Sequence, residues 1–150
     1  MSDTVLRIFP VEPSLVPGEI ARDHAVSLLR GFLPLAEEVR VQVFEATQFI
    51  DCGENFEGTF CPNCGCDLTE PWTEWMDTAA QLNFESLEVQ LPCCDKESNL
   101  NELCYKWPAG FAQFVLEAQN PGVGGWLTAD VLKGIEEAVG SPVRQVLAHY

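Results

Sequence analysis

Seven cysteines carry the chemistry this chain can offer, and all of them fall between Cys52 and Cys104. The tightest grouping is Cys61-Pro62-Asn63-Cys64-Gly65. Two thiolates separated by two residues can grip one ion from a single tight turn, and Gly65 can take the positive φ that turns backbone N–H groups toward the sulfurs. The same spacing can make a redox pair, but that chemistry wants a helix starting at the motif. Here Cys66 and Asp67 follow Gly65 and no helical stripe begins. The spacing reads as a metal knuckle.

A second pair, Cys93 and Cys94, follows Leu91-Pro92. Neighbouring residues on an extended strand face opposite ways, so both sulfurs reach one ion only from a turn, which Pro92 favours. Cys61, Cys64, Cys93 and Cys94 then form a four-sulfur set. Cys52, Cys66 and Cys104 are rivals for a place in it. Cys104, between Leu103 and Tyr105, reads as a small packed apolar residue. Cys52 reads as buried, and Cys66 would replace Cys64 only by distorting the knuckle. Four cysteine ligands close the shell, so the expected ion is one structural Zn2+ per chain. An iron site with the same ligands is the alternative.

Nothing else in the sequence makes a catalytic constellation. His24 lies four residues from both Ile20 and Leu28, and reads as a packed, hydrogen-bonded histidine on the apolar side of a helix. His149 reads as a surface residue. Neither has an evident serine or cysteine partner for nucleophilic work. Gly122-x-Gly124-Gly125 reads as a turn before a helix, not a phosphate cradle. The acid pairs Glu37-Glu38 and Glu136-Glu137 read as solvated charges. Trp72, Trp75, Tyr105, Trp107 and Phe111 read as a local core over the knuckle, with an exposed partner-binding anchor as the alternative.

The elements that position these residues come from apolar periodicity. Val5 to Phe9 reads as a strand, Glu19 to Leu33 as a helix with Ile20, Ala21, Ala25, Leu28, Leu29 and Phe32 on its apolar stripe, and Val39, Val41 and Val43 as a second strand. Pro34 ends the helix. The C-terminal segment repeats the plan. Phe111 to Ala118 is a strand, Thr128 caps a helix carrying Val131, Leu132, Ile135 and Val139, Gly140 and Pro142 stop it, and Val143 to His149 is the last strand. Two strand–helix–strand units point to an α+β fold, a ferredoxin-like split βαβ sandwich with strands one and three central. The expected single domain has residues 1–50 as its first unit, 51–108 as a zinc-ribbon-like insert and 109–150 as its second unit. In the insert, Thr69 is a candidate cap for a short helix from Glu70 to about Ala80, and Leu87, Val89 and Leu91 alternate as a strand.

The chain has 150 residues, enough for one cored domain, and 47% are apolar, which argues against disorder. No apolar run approaches the roughly 20 residues that cross a bilayer, and Met1 to Phe9 lacks a secretory pattern. The expected location is the cytoplasm, where thiols stay reduced. The net charge is -15, with 12 acids and 2 bases inside residues 51–108. That surface repels phosphate backbones, so the expected partner is a protein, a basic one on the sharper reading, and not nucleic acid or a membrane.

Three stretches together carry a resemblance. They are Phe49-Ile50-Asp51-Cys52-Gly53-Glu54-Asn55, the Cys61 knuckle with Pro92-Cys93-Cys94, and Leu100-Asn101-Glu102-Leu103 with Tyr105-Lys106-Trp107-Pro108-Ala109-Gly110-Phe111. The chain resembles an uncharacterised family of small bacterial proteins, and its knuckle resembles zinc ribbons. The resemblance implies metal binding and a bacterial origin, and no reaction or substrate. Asp95 stands where the resemblance leads one to expect glycine. The functional expectation is a zinc-stabilised, non-enzymatic interaction or regulatory protein, a toxin-neutralising partner being one form of it. The alternative is an enzyme or small-molecule binder with a cleft between insert and sandwich.

Overall fold

Alternating apolar residues build the central sheet. A computed structural model describes residues 3–122 and 126–150. Its strands are β1 (Thr4–Pro10), β2 (Glu38–Ile50), β3 (Thr59–Phe60), β4 (Glu88–Gln90), β5 (Glu97–Asn99), β6 (Cys104–Tyr105), β7 (Gly110–Gln119) and β8 (Val143–His149). Its helices are α1 (Glu19–Phe32), α2 (Thr69–Gln81) and α3 (Ala129–Val139). The fold is α+β. Four strands form an antiparallel sheet in the order β2-β7-β1-β8, while β3 pairs with β6 and β4 with β5. The inner strands are β1 and β7. β7 reads Phe114-Val115-Leu116 without a polar break because both of its faces are covered.

One face of the sheet packs against α1 and α3. Leu6, Ile8, Phe114, Leu116 and Ala118 meet Ala25 and Leu29 from α1 and Ile135 and Val139 from α3. Burying side chains such as Phe114 and Leu29 contributes about 1.5–3 kcal/mol each relative to exposure. Thr128 caps α3, its hydroxyl accepting from the Val131 N–H at 3.4 Å, and Gly140 closes the helix at φ +82°.

Three features of α1 differ from the sequence reading. Ile20 is 87% exposed, Phe32 at the last turn is exposed, and His24 is exposed rather than packed. The buried stripe centres on Ala25 and Leu29. At 3.6 residues per turn Ile20 sits about 140° around from Ala25, and His24 about 100°. The spacing of four that linked His24 to Ile20 and Leu28 therefore followed the edge of the stripe. The glycine turn at 122–125 falls mostly on residues 123–125, outside the described residues. Of the acid pairs, Glu136 is not merely solvated, because its carboxylate accepts the Val143 N–H at 3.0 Å and so starts β8.

Residues 51–108 build a second core on Leu68, Ala79, Leu91, Leu100, Leu103 and Cys61. Phe111 of β7 is fully buried in it, and Phe49 of β2 packs against it. The sheet and this core are therefore continuous. Asn101 ties them with polar contacts. It donates to the Val11 carbonyl at 3.1 Å and accepts from the Phe111 N–H at 3.2 Å and Arg144 Nη1 at 3.1 Å. Gly110 lets Phe9 and Asn101 close over it, since a Cβ there would lie 2.8 Å from the Phe9 ring.

The same segment covers half of the helix-free sheet face. Cys52, Phe56 and Trp107 of the segment close, with Phe44 and Ile50 of β2, over Phe9, Ala112, Val115 and Val146. It also covers the outer edge of β8. Asn55 Nδ2 and Trp107 Nε1 both donate to the Leu147 carbonyl at 2.9 Å, and Gly53 bridges to His149. Covering that edge removes a template for unwanted strand pairing.

Candidate metal centre

Two short hairpins carry the cysteines. In the first, Phe60 bridges to Asp67, the Cys61 N–H donates to the Cys66 carbonyl at 2.9 Å, and the Gly65 N–H donates back to the Cys61 carbonyl at 3.0 Å. In the second, Gln90 pairs with Glu97, the Leu91 N–H donates to the Lys96 carbonyl at 2.8 Å, and the Asp95 N–H donates to the Leu91 carbonyl at 2.8 Å. The bonding is the same, displaced thirty positions along the chain. Gly65 at φ +76° corresponds to Asp95 at φ +56°. Aspartate tolerates this left-handed conformation better than most residues. Its carboxylate also accepts Gln90 Nε2 at 2.7 Å, which explains how the turn forms without glycine.

The correspondence assigns the sulfurs unequal places. Cys61 matches Leu91, Asn63 matches Cys93, and Cys64 matches Cys94. Leu91 is fully buried in the core beside Cys61 and cannot ligate. Cys93, one residue before Cys94, supplies the missing sulfur from the apex of the turn. The turn between Leu91 and Asp95 is the break from extended geometry that adjacent ligands need.

Cys61, Cys93 and Cys94 bring their sulfurs within 4.8 Å of one another. Cys64 lies outside that trio but close enough for its thiol to interact with Cys61 and Cys93. The four cysteines form a cluster that could hold a metal ion. Four sulfurs placed tetrahedrally at the zinc–thiolate length of about 2.3 Å would be ~3.8 Å apart. Cys61 and Cys94 are 3.9 Å apart, across the two hairpins. The donor set and this one spacing suit a thiophilic ion.

The surroundings favour anionic sulfur. The N–H groups of Asn63 and Cys64 point at the Cys61 sulfur at 3.3 and 3.5 Å. Burial raises the Cys61 pKa, but those N–H groups and the thiols of Cys93 and Cys64 outweigh it and bring it down to about 6. Cys93 is driven the other way, by burial and by its three cysteine neighbours. One thiolate forms readily, and a second beside it is resisted until a cation supplies opposing charge. Asn63 Nδ2 also reaches the Cys94 sulfur at 3.8 Å.

Trp72 and Trp75 of α2 pack against this core as half-buried residues. Trp72 stacks on Phe56 with ring centroids 4.9 Å apart and donates from Nε1 to the Tyr105 hydroxyl at 3.2 Å. Thr69 does not cap α2 as expected. It is the first helical residue, its N–H donates to the Asp67 carboxylate at 2.8 Å, and its own hydroxyl accepts from Thr59 N at 3.1 Å. The aspartate two positions earlier supplies the stronger acceptor.

The three other cysteines stand apart from the four-cysteine cluster. Cys52 is buried, and burial pushes its thiol pKa up. Cys66 is exposed, its sulfur against the Asp67 carbonyl. Cys104 is exposed on β6 rather than packed, because Leu103 and the half-buried Tyr105 on either side take the inward positions. The sequence reading missed the correspondence of Leu91 with Cys61. Its signal was present: Cys-Pro-Asn-Cys-Gly and Leu-Pro-Cys-Cys-Asp share proline second and cysteine fourth. It also missed the buried Glu117 between Arg7 and Arg40, three charges at facing positions of three strands.

No family model matches the chain, and neither a characterised protein nor a solved structure matches it. None of its helices is long and apolar enough to cross a membrane among the described residues.

Proposed function

We propose that this chain is a zinc-stabilised, non-enzymatic interaction or regulatory protein, acting on a protein partner in a reducing compartment, the cytoplasm. The observation that carries the reading is the four-cysteine cluster spanning the two hairpins. Four thiolates satisfy zinc completely and leave no position for water or substrate, which suits a staple and not a catalyst. The strand order β2-β7-β1-β8, with α1 and α3 on one face, supports a split βαβ, ferredoxin-like frame. The hairpins support reading residues 51–108 as a zinc-ribbon-like module set into that frame.

Charge supports a basic partner. A groove of about 450 Å3 runs between the Val11–Ser14 loop and the hairpin segment, and Glu12, Glu85, Glu88 and Glu102 line it with no base among them. Such a field steers cationic surfaces inward and nucleic acid away. A toxin-neutralising protein is one form this function takes. The test is capture of partners from extract of the native cell, followed by binding of the purified partner to the purified chain. A basic protein whose binding weakens with salt and with Glu85→Lys and Glu88→Lys supports the reading. Micromolar binding to random DNA or RNA that weakens steeply with salt contradicts it.

A further inference from the structure

The uncovered half of the helix-free sheet face carries a row of charges. Arg7 on β1 and Arg40 on β2 stand at facing positions on either side of Glu117 on β7. Glu117 is only 7% exposed, and both of its oxygens are engaged. Oε1 accepts from Arg7 Nε at 3.2 Å, and Oε2 accepts from Arg40 Nε at 3.0 Å and Gln42 Nε2 at 3.1 Å. Arg7 goes on to donate from Nη1 to the Tyr150 hydroxyl at 2.7 Å, and Tyr150 donates to the Asp51 carboxylate at 2.8 Å. Arg7 is thereby fixed at the border between sheet and hairpin segment.

Arg40 differs from Arg7. Glu117 holds it through Nε alone, its side chain is 51% exposed, and its two Nη groups make no hydrogen bond among the described residues. Those groups form the end of a planar fork that matches a carboxylate. Glu38 stands two residues earlier on the same face of β2, about 7 Å along the strand. Its carboxylate is exposed and has no hydrogen bond or ion pair among the described residues. Both groups open onto one cleft of about 250 Å3, bordered also by Asp3, Arg7, Gln119 and Tyr150.

The cleft thus offers a free guanidinium fork beside a free carboxylate. Asp3, Glu38 and Glu117 outnumber the two arginines, so a polyanion such as a phosphate ester meets net repulsion. A simple cation would meet the two guanidiniums. The volume lies below the roughly 300–1,000 Å3 of sites for drug-sized ligands, so the occupant is small. We propose that this cleft binds a small zwitterion, an α-amino acid or a molecule with the same paired groups, its carboxylate on Arg40 and its ammonium on Glu38 and Asp3. The proposal stands independently of the metal and of the protein partner.

The test is a titration of the full, metal-loaded chain with each common amino acid at millimolar concentration, with acetate, methylammonium and inorganic phosphate as separate probes. Calorimetry gives the affinity, and the Arg40 Nε–Hε NMR resonance reports the site. At least one amino acid is expected to bind and shift that resonance, more tightly than acetate or methylammonium alone. Arg40→Gln should weaken that binding by about tenfold or more, as loss of a bidentate charged contact implies, and Glu38→Gln should weaken it too. The Arg40 side chain is 51% exposed and Glu38 is exposed, so both variants should fold and keep the metal content of the parent. If no amino acid moves the resonance, or if Arg40→Gln leaves affinity unchanged, the proposal fails. Tighter binding of phosphate than of any amino acid would also overturn it, by making the cleft an oxyanion site.

Discussion

Leu91 occupies in the second hairpin the position that Cys61 occupies in the first, with the same backbone hydrogen bonds around it. The fourth sulfur comes instead from Cys93, at the place of Asn63. A ligand moved by two positions can be moved back. We expect Cys93→Asn alone to release its ion to a chelator far faster than the parent, because three sulfurs leave a position open to water. The double variant Leu91→Cys with Cys93→Asn should restore one tightly held ion per chain. Metal content after timed chelator challenge checks both. Failure of the double variant to hold the ion would show that the two turns are not equivalent as ligand frames.

Removing a cysteine of the cluster should act first on the hairpins. A structural zinc can contribute on the order of 10 kcal/mol to folding of a small module. In Cys61→Ser we expect amide protection to fall across residues 51–108 and the emission of Trp72, Trp75 and Trp107 to shift to the red. Leu6, Ile8, Leu116 and their helix partners should stay protected. Cys104→Ser, at an exposed position, should leave metal content unchanged. Hydrogen exchange with metal analysis on both variants decides it. Phe49 and Phe111 join the two cores, so loss of protection throughout the chain would make them one cooperative unit.

Glu117→Gln should destabilise the chain strongly. Glu117 is buried, and the arginines beside it are 18% and 51% exposed in their side chains. Breaking a buried pair by removing one partner leaves uncompensated charge and costs on the order of 3 kcal/mol. Burial opposes the charge on Arg7, but Tyr150 and Glu117 outweigh it and raise its pKa. A guanidinium keeps its proton at any pH the fold meets, so Arg7 stays charged when Glu117 is neutralised. Urea unfolding gives the difference, and a cost under about 0.5 kcal/mol would show that solvent screens the row.

The strand and helix periods of both βαβ units were legible because burial on a sheet or helix face imposes a repeat. α1 shows the limit. A stripe of apolar residues also contained Ile20, which burial does not reach, and spacing alone could not tell stripe from edge. Cys61 and Cys64 were legible from their spacing, since local turn chemistry decides it. Cys93 and Cys94 were legible only as a pair. How the pair comes to lie beside Cys61 depends on a second hairpin matching the first, and sequence identity between the two is confined to one proline and one cysteine. The row of Arg7, Glu117 and Arg40 was invisible because it depends on register between strands far apart in the chain.

The tyrosines should ionise late. Burial pushes the Tyr105 pKa up to about 12, against partial relief from the Trp72 N–H, and burial also raises that of Tyr150. The Tyr105 hydroxyl donates to the Leu100 carbonyl at 2.7 Å, a bond that ionisation would remove. Both are the only tyrosines in the chain. The folded state holds these protons more tightly than the unfolded state. The corresponding stability is fully present below the ordinary tyrosine value near 10, and is lost as pH rises from there through about 12. Absorbance of tyrosinate against pH should show little ionisation at pH values near 10 in the folded chain. Ordinary titration of both tyrosines while the fold is intact would contradict the burial of Tyr105.

The central claim is that Cys61, Cys64, Cys93 and Cys94 hold one zinc in a closed shell. X-ray absorption at the zinc edge, on protein purified without added metal and with its metal content measured, tests it most directly. We expect one zinc per chain with four sulfur neighbours at about 2.3 Å. No zinc, an iron edge in its place, or a nitrogen or oxygen neighbour in the first shell would contradict it.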